Sequence, residues 1–344
     1  MEIKLPQYRK DIILDEWVII ATERAKRPEN FREERIKLDS AIYDICPFDA
    51  GNESMTPPEI LKIDSSGKVS NSPDGPWLVR VVPNKFPALV HNAEPVSYKY
   101  GPYTNMDGFG IHEVVIHTPE HITNISSLEA SRISIILDVY AKRIRDIKKN
   151  ARIESVIIML NQGKEAGASL EHTHSQIFGL PLIPAVLEKE IYGTAKYFKQ
   201  NRRCAMCEMI EFELSQDRRV VYKNSNFIVI QPYASRNPFE TWIVPLWHDP
   251  NFENIEETKI ADFADCFKRV ADFFHTELNE PPFNYYIHTG PLHLEDFNVN
   301  YHWNFKFIPK LSIKAGFEIA TGIDICITTP EYTADFMKQS KVFN

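Results

Sequence analysis

The chain has 344 residues, 43% apolar and 12% aromatic, with a formal net charge of −8; that is long enough for two fused modules with a sizeable core. No basic tract breaks the mild acidity, which argues against a nucleic-acid scaffold, and no apolar run nears the roughly 18 residues of a membrane helix. The N-terminal MEIKLPQYRK lacks a signal peptide's apolar core, and five cysteines form no dense framework, so a cytoplasmic protein is expected, with cysteines serving metals or the core rather than disulfides.

In chain order, the first notable segment is DEWVIIATERAKRP, followed by CPFDAGN with Cys46 and Asp49. Residues 52–76 are rich in Ser, Gly, Pro and Asp and read as an insertion. An apolar strand, HEVVIHTPEH, ends in His121. A helix is expected over about 126–150. It opens on Ser126-x-x-Glu129, a capping box, buries Ile133, Ile136, Val139, Tyr140, Ile144 and Ile147 at helical spacing, and closes on Arg143, Arg145, Lys148 and Lys149, cations suited to a helix C-terminus. Next come SVIIMLNQG, a loop of small and amide residues, and EHTHSQIFGL, in which His172, His174 and Gln176 alternate. Further on stand Cys204-x-x-Cys207, the strand FETWIVPLWH ending in His248, and a second helix over about 255–278 with Phe263, Phe267, Val270, Phe273 and Phe274 on one face. PFNYYIHTG and NYHWNFKFIP follow, the latter holding His302.

This order repeats. His172 matches His302 at an offset of 130, His121 matches His248 at 127, and Cys46 matches Cys204 at 158. The pattern predicts two tandem α+β units, about 1–195 and 196–344, each an antiparallel sheet with one main helix, an arrangement that lets the two sheets join into one. Accidental resemblance between two ordinary α/β stretches is the alternative.

Residues two apart on a strand share a face, so His172, His174 and Gln176 are expected to line one surface. Cys204, Cys207, His248 and His302 form one four-ligand set suited to tetrahedral zinc, and Cys46, Asp49, His121 and His172 form a second in which a carboxylate replaces the expected Cys. The competing reading makes the cysteines small core residues and the histidines hydrogen-bonded structural groups. Cys266 and Cys326 read simply as core. If His172 is a ligand, His174 is left over. It lies beside a loop from Asn161 to Ser169 whose backbone N–H groups can approach an anion. A neutral imidazole there can attack phosphorus and split one transfer into two, with Gln176 bonding the phosphoryl oxygens; a structural or second metal histidine is the alternative. The second copy has Asn304 and Lys306 at the matching positions, so only the first copy is expected to do chemistry.

His172-Thr-His174-Ser-Gln176 resembles the H-x-H-x-Q motif of the galactose-1-phosphate uridylyltransferases, the transferase branch of the histidine-triad superfamily, whose chains are two fused histidine-triad-like units. The likeness covers nearly the whole chain. The resemblance implies that His174 takes the nucleotidyl group and that Gln176 stabilises the intermediate. It implies phosphate contacts from Asn161 and Ser169, arginines near the nucleotide at Arg24 and Arg27, and nucleoside contacts from Asn84 and Phe86 in VRVVPNKFPAL. It further implies a sugar-hydroxyl contact from Glu318 in KAGFEIATG, and zinc, one or two per chain. The implied partners are a nucleotide sugar with a sugar 1-phosphate or phosphate, without nucleic acid or membrane, in a homodimer. UDP-glucose and galactose 1-phosphate are the family's substrate pair. Departures are Asp49 for Cys, Lys85 where some members have Asp, and Asp324 where they have Gln. Some members also build a further metal site from an H-x-H where this chain has Asn304-Phe-Lys306, so that site is not expected. The Cys204, Cys207, His248, His302 set is similar to the second zinc site of ADP-glucose phosphorylase, a relative that transfers AMP to phosphate.

Overall fold

The computed structural model describes residues 5–22, 45–72, 75–294 and 296–344. Among them, ten strands form one antiparallel sheet. The first copy supplies β3 (Leu61–Asp64), β4 (Trp77–Pro83), β7 (Ile111–Ile116), β8 (Ser155–Gln162) and β9 (His174–Leu180). The second supplies β10 (Val220–Lys223), β11 (Phe227–Ile230), β12 (Thr241–Pro245), β13 (Phe283–His288) and β14 (Asn304–Pro309). The order β10-β11-β12-β14-β13-β8-β9-β7-β4-β3 reads the same outward from its centre. There β8 pairs with β13, Ile158 opposite Ile287 and Asn161 opposite Asn284. The sequence repeat is therefore a repeat in space, and the two sheets are one.

Two helices cover one face. α1 (Ala130–Ile147) and α4 (Glu257–Glu277) carry the expected apolar stripes, and every named stripe residue is buried in one core with Val115, Ile158, Ile177, Ile287, Phe305 and Phe307. Phe267 meets Tyr285, Phe305 and Phe307 at ring separations of 5.0–5.5 Å. Truncating such a residue to Ala costs about 3–5 kcal/mol. Cys266 and Cys326 are buried in the core, as expected.

Several expectations change. The capping box does not form. Ser126 lies in a 3₁₀ turn (Ile125–Ser127) capped by Asn124, and α1 begins only after Glu129, whose extended backbone makes it the N-cap. The Ser126 hydroxyl is buried without a partner. The extra length of the first copy lies mainly at 84–110, between β4 and β7, and includes a hairpin of β5 (Ser97–Tyr100) and β6 (Tyr103–Met106); residues 231–240 alone join β11 to β12. The division at 195/196 falls inside α2 (Ala185–Asn201), which leads into α3 (Ala205–Gln216). The N-terminal strand β1 (Gln7–Asp11) pairs with β2 (Glu16–Ile20), and β2 also pairs with β15 (Ile325–Cys326) from the far end of the chain. Arg9 binds Glu331, and Arg236 binds Asp11. Strands β1 and β2 thus pack on the second copy. Buried charges need partners, and those of Arg9 and Asp11 lie there.

Candidate active site and metal centres

β9 separates two environments by alternation. Ser175 and Ile177 face the helices, where Ser175 joins a buried cluster with Tyr140, His117 and Tyr285. His174, Gln176 and Phe178 lie on the opposite side. His172 stands just before the strand, not on it. His174 Nδ1 lies 2.7 Å from the His172 carbonyl oxygen. That oxygen can only accept, so Nδ1 carries the ring proton and Nε2 keeps its lone pair. Burial pushes the imidazole below its ordinary value of 6.5, against the opposing hydrogen bond to the His172 carbonyl. The ring is therefore neutral at pH 7. Phe48 packs against it edge-on at 5.2 Å.

The loop between β8 and β9 turns through Gly163 and Gly167, whose φ values of +83° and +95° disfavour any side chain. It is braced from the second copy: Asn284 Nδ2 donates to Asn161 Oδ1 (2.7 Å) and to the Ala166 carbonyl (2.9 Å). Asn161 Nδ2 donates to the Gly167 carbonyl at 3.2 Å. Asn161 lies one step beyond the Leu160–Ser175 pair, beside His174. Ser169 is exposed in the loop. On the other side of Gln176 stands His112 of β7. Its Nε2 is 2.8 Å from Gln176 Oε1 and 3.0 Å from Asn84 Nδ2, and its ring stacks on Phe178 at 4.1 Å. Phe86 projects into solvent, 83% exposed.

Two four-residue groups could hold metal ions: Cys204, Cys207, His248 and His302, and Cys46, Asp49, His121 and His172, with ligand atoms within 4.8 Å of one another in each. In the first, Cys207 Sγ is 3.4 Å from His248 Nδ1 and 3.6 Å from His302 Nδ1. In the second, Asp49 Oδ1 is 2.8 Å from His121 Nδ1 and 3.0 Å from His172 Nδ1, and Cys46 Sγ is 3.8 Å from His172 Nδ1. A tetrahedron with bonds of about 2.0–2.3 Å has edges of about 3.3–3.8 Å; the three cysteine separations fall in that range, and the two from Asp49, 2.8 and 3.0 Å, lie just below it. Three of these histidines present Nδ1 inward and have Nε2 at a backbone carbonyl: His172 at Thr118 (2.9 Å), His248 at Asn298 (2.7 Å) and His302 at Pro245 (3.2 Å). An Nε2–H donated outward fixes the tautomer that leaves Nδ1 free to ligate. The Cys204 thiol is pulled well below its ordinary range by hydrogen bonds from Cys207 and both histidines, while Cys207 is held above it beside Cys204. Burial alone would raise Asp49, but hydrogen bonds from His121 and His172 leave it lowered. Both sets fit a tetrahedral ion.

In the second copy, Asn304 and Lys306 occupy the places of His174 and Gln176, and His288 that of Asn161. This surface is filled by Glu190 of α2. Its fully buried carboxylate meets Lys306 Nζ at 2.7 Å, His288 Nδ1 at 3.0 Å and the Tyr301 hydroxyl at 3.0 Å. Burial alone would raise Glu190, but the His288 and Lys306 charges hold it well below its usual range. An internal carboxylate thus covers the surface whose counterpart in the first copy carries His174.

The structure brings His172, His174, Gln176, Asn161 and Asn84 together. Glu318 sits apart on the short helix α5 (Gly316–Thr321), where its carboxylate accepts from the Ala315 N–H. Arg24 and Arg27 lie outside the described residues. Sequence reasoning missed His112 and Glu190. His112 begins the same HEVVIHTPEH run on the face opposite Val115, a parity that could have flagged it.

Three comparisons bear on this arrangement. The family model described as galactose-1-phosphate uridyl transferase, N-terminal domain, matches residues 1–184. The chain is 34% identical to an ADP-glucose phosphorylase of Arabidopsis thaliana, covering 98% of this chain and 94% of that one. It is 26% identical to a galactose-1-phosphate uridylyltransferase of Thermotoga maritima, covering 98% and 99%. Among solved structures, an Arabidopsis thaliana ADP-glucose phosphorylase with bound ADP-glucose superimposes with a TM-score of 0.83 at 32% identity (98% and 99% covered). A structure described as uridylyltransferase gives 0.73 at 25% (96% and 97% covered).

Proposed function

Since the chain belongs to the galactose-1-phosphate uridylyltransferase family, we propose that it moves a nucleoside monophosphate from a nucleotide sugar to a sugar 1-phosphate through a covalent nucleotidyl-His174. The observation that carries this reading is the His174 tautomer: Nδ1 is tied to the His172 carbonyl and Nε2 is left unprotonated, on a side chain that shares its strand face with Gln176. The Nε2 lone pair attacks the α-phosphorus. The bond to the bridging oxygen breaks, and sugar 1-phosphate leaves with its electron pair. The Nδ1–H bond to His172 stabilises the charge that develops on the ring. A phosphate oxygen of the acceptor then attacks the same phosphorus, the P–N bond breaks, and His174 returns neutral. Gln176, Asn161 and the loop at Ser169 supply phosphate contacts; Asn84 and exposed Phe86 supply nucleoside contacts; Arg24 and Arg27 add charge. Glu318 contacts the sugar, and we place two such chains in a homodimer in the cytoplasm.

Zinc is the ion we assign to both four-residue sets. Each set fills four positions and leaves none for water, so its contribution is structural. His172 links the centres: its side chain would hold metal while its carbonyl orients His174.

UDP-glucose with galactose 1-phosphate is the first substrate pair proposed. A second reading, ADP-sugar with inorganic phosphate as acceptor, is favoured by the 34% identity to the ADP-glucose phosphorylase. Incubation with labelled UDP- and ADP-sugars identifies the donor by which one labels the protein. Release of nucleoside diphosphate on adding phosphate marks the second reading. No labelling by any nucleotide sugar would overturn both.

A further inference from the structure

The structure assigns His112 as a positioning residue that fixes which end of the Gln176 amide faces the reacting phosphate; this rests on the nucleotidyl-transfer reading above. The Ala88 backbone N–H donates to His112 Nδ1 at 3.1 Å, and a backbone N–H cannot accept in return. The ring proton must then sit on Nε2. Two groups face that proton, Gln176 Oε1 at 2.8 Å and Asn84 Nδ2 at 3.0 Å. The Asn84 amide cannot flip to offer its oxygen, because Oδ1 already accepts from the Phe86 N–H at 2.8 Å, closing an Asx turn. Gln176 is left as the acceptor. With Oε1 bound to His112, its NH₂ is the end left for a phosphoryl oxygen. An amide flipped the other way would present a carbonyl oxygen to a negative group.

The ring is held on every side. It stacks on Phe178 with an interplanar angle of 23°, and the Asn84 N–H donates to the His112 carbonyl at 2.9 Å. Asn84, Phe86 and Ala88 belong to the segment proposed to grip the nucleoside. His112 therefore ties that segment to the amide on the phosphate. Its counterpart across the repeat, beside the phenylalanine-rich β14, is Glu240, which instead accepts from the Trp242 indole at 2.9 Å. The arrangement exists only in the copy that carries His174.

The test uses the full chain and α-³²P-labelled ADP-glucose and UDP-glucose. H112F keeps the stack on Phe178 and removes the donor. It should slow labelling of His174 by about 10–100-fold at saturating nucleotide sugar, because an amide no longer aimed at the phosphoryl oxygen loses its orientation. H112Q places an amide N–H near the same point and should recover to within about fivefold of wild type. H112F combined with Q176A should label no more slowly than Q176A alone, since His112 acts through Gln176. Wild-type labelling by H112F, or a full further loss in the double variant, would overturn the assignment. Imidazole ¹⁵N shifts, assigned by difference with H112F, should place the His112 proton on Nε2; a proton on Nδ1 overturns the assignment whatever the labelling. If neither sugar labels wild type, the transfer reading fails, and the tautomer still decides the positioning of Gln176.

Discussion

Replacing Lys306 with Met removes an ammonium from the interior and keeps an unbranched chain against Trp242, whose ring centre is 4.3 Å from Nζ. Glu190 is then left fully buried with only His288 and the Tyr301 hydroxyl. Removing one partner of a buried pair costs about 3–5 kcal/mol. The carboxylate can escape part of that cost by taking up a proton. From its ordinary value of 4.5, protonation at pH 7 costs about 1.4 kcal/mol per pH unit, or roughly 3.4 kcal/mol in all. The expected loss is therefore about 3 kcal/mol at pH 7. In the wild type the lowered Glu190 pKa stabilises the fold above about 4.5, and this contribution is lost as the pH falls through the folded value. Lys306→Met raises that folded value and forfeits the contribution. The deficit should therefore shrink to about 1–2 kcal/mol at pH 5.5. Urea unfolding at the two pH values measures it, with unchanged slope. Glu190→Gln combined with Lys306→Met should recover most of the loss, because both charges leave together. A deficit that grows as the pH falls, or a double variant as unstable as Lys306→Met, would refute the reasoning.

His174→Ala should keep the fold and abolish exchange of label between a nucleotide sugar and its sugar 1-phosphate; retained exchange would sink the nucleophile assignment. The wild-type adduct should be lost in acid and kept in alkali, as a phosphoramidate is, measured by label retained on the protein. Metal analysis should give one to two zinc per chain, and Cys207→Ser should remove one of them; a folded, metal-free protein would end the zinc assignment. His172→Ala should lose metal and thermal stability first and activity second, whereas His174→Ala should keep its metal. Asp49→Cys restores the thiolate that the repeat calls for, so its zinc should resist a chelator longer than wild type.

Much of this molecule is written as period and offset. Helical spacing placed Ile133 to Ile147 and Phe263 to Phe274 on buried faces. Alternation put His174 and Gln176 on one side of a strand. The repeat at offsets of 127 and 130 pairs His121 with His248 and His172 with His302, and so groups the residues of the two candidate metal sets. These features are local, or are copies of one local pattern, so a one-dimensional reading reaches them. The capping box misled because Ser126 and Glu129 have the right spacing while Asn124 captures the turn first. Only the tertiary structure joined the two sheets through β8 and β13, since which edges meet depends on partners far apart in the chain. It alone placed Glu190 against Lys306, 116 positions away, and set β1 and β2 on the second copy. It also decided the tautomers. Sequence can nominate a histidine, but which nitrogen carries the proton is fixed by the carbonyl or N–H that folding brings within hydrogen-bond reach.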